Sequence, residues 1–189
     1  AKKSIVLSTF DLRPDDSGTK IIAALYTAAE RGVQVQILID GIYQKLFLEK
    51  SPVFQALAAH QNIEVGIYNP VTNLMRLNYR MHDKYLIIDE SMYLLGGRNT
   101  NDIFLGDKKT RINVDRDIFV YEETQGKGES LQALEKYFDT IWNEAQVRKK
   151  KKTYAASYEE KYKSEYHQLK ERYRSLKEKY PDIENYEHW

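Results

Sequence analysis

Residues 81–99 read Met81-His82-Asp83-Lys84-Tyr85-Leu86-Ile87-Ile88-Asp89-Glu90-Ser91-Met92-Tyr93-Leu94-Leu95-Gly96-Gly97-Arg98-Asn99. Two short apolar runs, Tyr85 to Asp89 and Met92 to Leu95, flank Glu90-Ser91, so the segment reads as a β-hairpin. Residues two apart on an extended strand share a face, and His82 and Lys84 therefore project together from one strand end. The returning strand brings Gly96, Gly97 and Asn99 back beside that pair, and glycine lets an anion approach the backbone closely. In such a cluster a neutral imidazole serves as nucleophile toward phosphorus. Lys84 and Asn99 hold the non-bridging oxygens, and Asp89 or another carboxylate orients the histidine. This chemistry requires no metal and no cofactor.

Outward from the hairpin, short apolar runs alternate with helical patterns up to about Ala145, the signature of an α/β fold. Ile5 to Phe10 reads as a strand, and Gly18 to Arg31 as a helix with Ile21, Ile22, Leu25, Ala28 and Ala29 on one face and Gly32 at its end. Val33 to Asp40 alternates as a second strand. Ser51-Pro52 opens a helix reaching about His60, with proline in the first turn. Ile63 to Tyr68 is a third strand closed by Asn69-Pro70, Asp117 to Tyr121 a further one, and Ser130 to Ala145 a strongly amphipathic helix.

The character changes at Arg148-Lys149-Lys150-Lys151-Lys152, which places a domain boundary between 147 and 148. Residues 148–189 then read as a basic linker and a charged helix. Tyr162, Tyr166, Leu169, Tyr173, Leu176 and Tyr180 form a heptad seam on it, ended by Pro181. That seam reads as a partly exposed Tyr-rich stripe, with self-association or packing on a further half as the alternatives. The basic run reads as a solvated linker, with attraction to anionic lipid headgroups as the alternative.

The whole chain has 189 residues, 42% hydrophobic and 30% charged, an ordinary soluble globular composition. Its net charge of +1 gives no global field and counts against a nucleic-acid partner. There is no cysteine, so disulfides and thiolate metal sites are excluded. No apolar run approaches the roughly 20 residues of a membrane span. The chain enters a β-branched run directly after Ala1-Lys2-Lys3 and stops abruptly at Trp189, as expected of a piece of a longer protein.

The pattern His-x-Lys-x4-Asp-x6-Gly-Gly-x-Asn resembles the signature of the phospholipase D superfamily, and His82, Lys84, Asp89, Gly96, Gly97 and Asn99 fill all its positions. Ala28-Ala29-Glu30-Arg31-Gly32-Val33 followed by Ile37 to Gly41 is similar to that family's first helix and second strand. Gly96-Gly97-Arg98-Asn99 resembles the bacterial cardiolipin synthase form of the motif. The similarity spans roughly Ser4 to Ala145. It implies an α/β fold of the phospholipase D type, a mixed β-sheet flanked by helices, to which the charged C-terminal helix is added.

The resemblance also implies a two-step exchange. One histidine attacks phosphorus to give a phosphohistidine, a histidine from a second motif protonates the leaving alcohol, and water or another alcohol completes hydrolysis or transfer. His82 is then nucleophile or general acid, Lys84 and Asn99 are phosphate ligands, Gly96 and Gly97 the close-approach turn, and Asp89 a tuning or structural carboxylate. The implied substrate is a phospholipid, and the intact protein is expected at a membrane through an anchor outside this chain.

His60 is followed by Gln61-Asn62, His167 by Gln168-Leu169, and His188 is next to last, so no second motif is present. The site is therefore half a site, completed by a further half beyond Trp189 or by a second copy about a twofold axis. The first is preferred. The alternatives are a homodimeric nuclease or phosphodiesterase and a non-catalytic binding module. Asp115-Arg116-Asp117 reads as the salt-bridged start of a strand. Arg76, Arg80 and Arg98 read as solvated, with steering of an anionic substrate as the alternative.

Overall fold

Three β-branched runs make the centre of the fold, because strands buried on both faces need apolar side chains at every position. In the computed structural model, which describes residues 1–72, 76–106, 113–123, 127–150 and 157–184, these are β1 (Ser4–Thr9), β2 (Gln34–Asp40) and β3 (Ile63–Tyr68), paired in parallel. The crossover between β1 and β2 is helix α1 (Asp16–Glu30). Asp15 caps its start by accepting from the Gly18 N–H, and Gly32, at φ 93°, ends it in the left-handed conformation.

Between β2 and β3 lie one turn of α-helix, α2 (Gly41–Tyr43), a π-helical turn at Gln44–Leu48, and α3 (Pro52–Ala59), capped by Ser51. The hairpin follows as β4 (Lys84–Ile88) and β5 (Met92–Gly96), with Asp89 and Glu90 at φ 54° and 52° in its turn. Then come α4 (Asp102–Leu105), β6 (Asp117–Tyr121), α5 (Glu129–Trp142) and β7 (Val147–Lys149). The last described elements are α6 (Ser157–Lys161), α7 (Lys163–Lys179) and a 3-10 turn at Pro181–Glu184.

Among the described residues the strands form one mixed sheet of seven in the order β6-β5-β4-β1-β2-β3-β7. Helices α1, α3 and α7 bury Ile22, Leu25, Ile37, Val65 and Leu169 on one face. On the other, α5 covers Leu38, Tyr85 and Ile87 with Phe138, Ile141 and Trp142. The α/β class and the flanked mixed sheet are as the sequence indicates. No helix among the described residues is long and apolar enough to cross a membrane.

Two expectations change. The boundary between 147 and 148 runs through β7, whose residues pair antiparallel with Gly66 to Tyr68 of β3. Arg148 and Lys149 are edge-strand residues, and Lys150 lays its ammonium 5.5 Å from the centre of the Phe54 ring and 2.8 Å from Gln55 Oε1. Lys151 and Lys152 lie outside the described residues. The heptad seam is likewise not a free stripe. Leu169 is fully buried in the core, Tyr166 stacks on Tyr26 at 5.1 Å, and Lys170 pairs with Glu30 at 2.8 Å, so α7 packs on α1 of its own chain.

Candidate active site

Lys84 opens β4 opposite Thr9, the last residue of β1, so the site lies at the carboxyl ends of the parallel strands, where α/β sheets bind their ligands. The Lys84 ammonium donates to the His82 carbonyl at 2.7 Å and stands 3.1 Å from His82 Nδ1. The Phe10 ring meets the imidazole edge to face at 4.5 Å and lies 5.3 Å from the same ammonium. Lys84 is buried and His82 is exposed, which leaves the imidazole open to a reactant while its neighbour is held. Burial lowers the Lys84 pKa, against the opposing pull of Asp83, Asp115 and Asp11. Among the described residues the hydrogen bonds of this ammonium go to His82 and none to a carboxylate.

The backbone before His82 is pinned by a residue the motif does not contain. Asp40, at the end of β2 and fully buried, accepts from the N–H groups of Ile42 at 2.9 Å and Met81 at 3.1 Å, and from Arg80 Nη1 at 3.2 Å. Burial raises the Asp40 pKa, against the lowering effect of these three donors. Arg80 also donates to the carbonyls of Asn69 at 3.0 Å and Tyr79 at 2.7 Å, so it is an anchor and not a steering charge. Asp11, just past β1, does a similar job across the site. Its carboxylate takes Arg13 at 2.6 Å, while its carbonyl accepts from Thr100 Oγ1 at 3.2 Å and Asn101 Nδ2 at 3.3 Å.

On the returning strand, a Cβ at Gly96 would collide with the carboxylate of Asp117, and one at Gly97 with that of Asp115. The close approach these glycines permit is therefore to two carboxylates of the chain itself. Asp117 in turn binds Arg98 Nε at 2.5 Å, which accounts for Arg98 and agrees with a salt-bridged start of β6. Asn99 is buried, and its Oδ1 has no hydrogen-bond partner among the described residues. An unmet buried amide oxygen costs about 1–3 kcal/mol.

Asp89 is not with them. It follows β4 at the end opposite His82, seven residues away, or about 23 Å of extended chain. Its carboxylate accepts from the N–H groups of Lys2 at 2.6 Å, Lys3 at 2.6 Å and Ser4 at 2.9 Å. Partial burial works against ionisation, yet these donors and the N-terminus hold its pKa below the ordinary carboxylate value. Asp89 fastens the start of β1 to the hairpin turn and cannot orient the imidazole. The structure thus brings His82, Lys84, Gly96 and Gly97 to one end of the hairpin, buries Asn99 just beyond it, removes Asp89, and adds Asp11, Asp40, Asp115 and Asp117. The signal for Asp11 and Asp40 is an aspartate at the carboxyl end of each of two parallel strands.

A sequence model of the family described as "Cardiolipin synthase, PLD-like domain" matches residues 1–142. The chain is 34% identical over 145 residues to the cardiolipin synthase of Clostridium perfringens (strain SM101 / Type A), covering 77% of this chain and 29% of that protein. It is 30% identical over 133 residues to cardiolipin synthase C of Escherichia coli (strain K12), covering 62% and 27%. It therefore spans under a third of the length of the curated relatives it matches. Among solved structures, Nuc from Salmonella typhimurium, a phospholipase D family member, superposes with a TM-score of 0.57 at 21% identity, over 80% of this chain and 84% of that one. NucT from Helicobacter pylori gives 0.55 at 19%, over 78% and 82%.

Proposed function

This chain belongs to the phospholipase D superfamily, and we propose that it is one half of an enzyme that cleaves or transfers the phosphodiester of a phospholipid through a phosphohistidine, in the manner of a cardiolipin synthase. The observation that carries the reading is a buried ammonium, Lys84, held against an exposed imidazole, His82, with no carboxylate bonded to it among the described residues. A cation kept off acidic partners beside a nucleophile is suited to a phosphoryl group.

In this reading His82 Nε2 attacks phosphorus and the bond to the leaving alcohol breaks. The departing oxygen takes a proton from an acid on the second half. Water or an acceptor alcohol then attacks phosphorus and gives its proton to that group, the phosphorus–nitrogen bond breaks, and His82 is restored. Nε2 attacks only with its lone pair free, which requires the ring proton of neutral His82 on Nδ1. At 3.1 Å the Lys84 ammonium donates to Nδ1 and favours the other tautomer. A phosphate that draws Lys84 onto its own oxygens releases Nδ1, so binding and activation are coupled. Asn99 supplies a second contact to phosphate, its amide turning to present N–H. The second half comes from the same longer protein, which works at a membrane surface.

The test is turnover of phosphatidylglycerol vesicles by the full-length enzyme, with product lipids and protein followed by mass spectrometry. A phosphatidyl adduct on His82, labile to acid and absent from His82→Asn, is expected in the quenched reaction. Turnover with no such adduct, or undiminished turnover by the variant, overturns the reading. A second reading, a phosphodiesterase built from two copies of this chain, is favoured by one observation: chains of this size are matched over more than four fifths of their length. A solution mass near twice 22.2 kDa, with metal-independent turnover of a simple diester by this chain alone, would support it.

A further inference from the structure

Three carboxylates pull on the Lys84 ammonium, in decreasing order Asp83, Asp115 and Asp11, and none is hydrogen-bonded to it among the described residues. Each is engaged elsewhere. Asp11 takes Arg13 at 2.6 Å, and Asp115 accepts from the Arg116 N–H at 2.8 Å. Asp83 accepts from the Tyr137 hydroxyl at 2.9 Å. We infer that Tyr137, on α5, is a positioning residue: its hydroxyl holds the Asp83 carboxylate on the α5 side of the sheet and so withholds from Lys84 the acid that would neutralise it. The inference rests on the reading above, in which Lys84 meets a phosphoryl oxygen.

Asp83 needs such a restraint more than the other two. It stands between His82 and Lys84 and just before the first paired residue of β4, so the ladder that fixes Lys84 opposite Thr9 does not fix its direction. Arg80, three residues earlier, is already bound to Asp40 and to backbone carbonyls, which leaves Lys84 as the adjacent cation for an unrestrained Asp83. The Tyr137 hydroxyl is well placed to prevent that pairing. Its helix is seated by Phe138 and Trp142 in the core, and its ring meets that of Tyr85 at 6.3 Å. The ring is nevertheless 46% exposed, so packing alone does not account for it. Burial and the Asp83 carboxylate push the hydroxyl pKa up to about 12, and it remains a donor through the neutral range. The arrangement keeps the negative charge of Asp83 close enough to favour the protonated form of a buried ammonium, while its oxygens are turned away.

The experiment follows Lys84 by NMR in the chain carrying isotopically labelled lysine, its signal assigned by its loss in Lys84→Ala, together with titration of inorganic phosphate near neutral pH. Tyr137→Phe keeps the ring and removes the donor. It is expected to move the Lys84 titration to higher pH, as an ion pair with Asp83 forms, and to weaken phosphate binding by at least about threefold, the scale of a partly exposed ion pair. Adding Asp83→Ala to that variant is expected to restore the phosphate affinity, although the hydroxyl is still missing. An unchanged Lys84 titration in Tyr137→Phe overturns the inference. A loss of phosphate affinity that Asp83→Ala does not restore also overturns it, since Tyr137 then acts through packing. Poorer folding of the first variant does not blur the result, because the double variant shares any loss of packing. If the native chain binds no phosphate, the reading of Lys84 as a phosphate ligand fails, and the Lys84 titration in Tyr137→Phe by itself decides for or against the hold on Asp83.

Discussion

The two ends of β4 carry residues of one motif and do opposite things. At the Asp89 end a carboxylate is satisfied by three backbone N–H groups at 2.6–2.9 Å, and nothing is left over for a reactant. At the Lys84 end, the ammonium spends its hydrogen bonds on His82, and the nearby Asn99 Oδ1 has no partner among the described residues. A finished set of hydrogen bonds makes a fastener, while an unfinished one, held rigidly, makes a binding site. On the proposed reading the motif has a chemical end and a structural end, joined by five residues of strand.

Substitutions should separate the ends. The largest effect is expected for His82→Ala, which should cut diester turnover by the complete enzyme by at least about 10³-fold. Its melting temperature should stay nearly unchanged, because the ring is exposed. If Asp89→Ala produces a comparable loss of turnover per folded molecule, the division between the ends is wrong. Asp40→Ala comes next. It leaves the half-buried Arg80 and the Ile42 and Met81 N–H groups without their carboxylate, a loss of about 3 kcal/mol of stability by denaturant titration, and it frees the backbone before His82, so turnover of the folded fraction should fall as well. Asp89→Ala should cost less, about 1–3 kcal/mol for the orphaned N–H donors, with turnover per folded molecule retained.

The smallest and most diagnostic effect is on pH. The folded pKa of Asp89 lies below its unfolded value, so the folded state favours the ionised form. Its contribution is therefore full above the ordinary aspartate pKa of about 3.9 and is lost as pH falls through the lower folded value. The gap in melting temperature between the native chain and Asp89→Asn should be constant near neutrality and close below about pH 4. A gap that instead widens on acidification would mean that Asp89 is not the fastener.

Much of this was legible in the residues. Ile63 to Tyr68 and Asp117 to Tyr121 are strands with the bounds their composition indicates, and the pairing of Ile88 with Met92 follows from the turn between them. β7 was hidden because a three-residue edge strand made of Val147, Arg148 and Lys149 looks like a basic linker, and edge strands favour such charges. The seam on α7 was visible but its partner was not, since helical periodicity specifies a face without naming what covers it.

The sequence alone determined what depends on neighbours along the chain: the α/β class, the hairpin, and the placement of His82 and Lys84 on one face with Gly96 and Gly97 returned beside them. Period-two alternation and turn chemistry act over a few residues and leave little freedom. Tertiary structure alone decided what the carboxylates do. Asp89 reaches Lys2, Lys3 and Ser4, Asp40 reaches Arg80 and Met81, and α7 returns to pair Lys170 with Glu30. These contacts join residues far apart in the chain, and such partners are fixed by the order in which strands and helices pack, which local spacing does not encode.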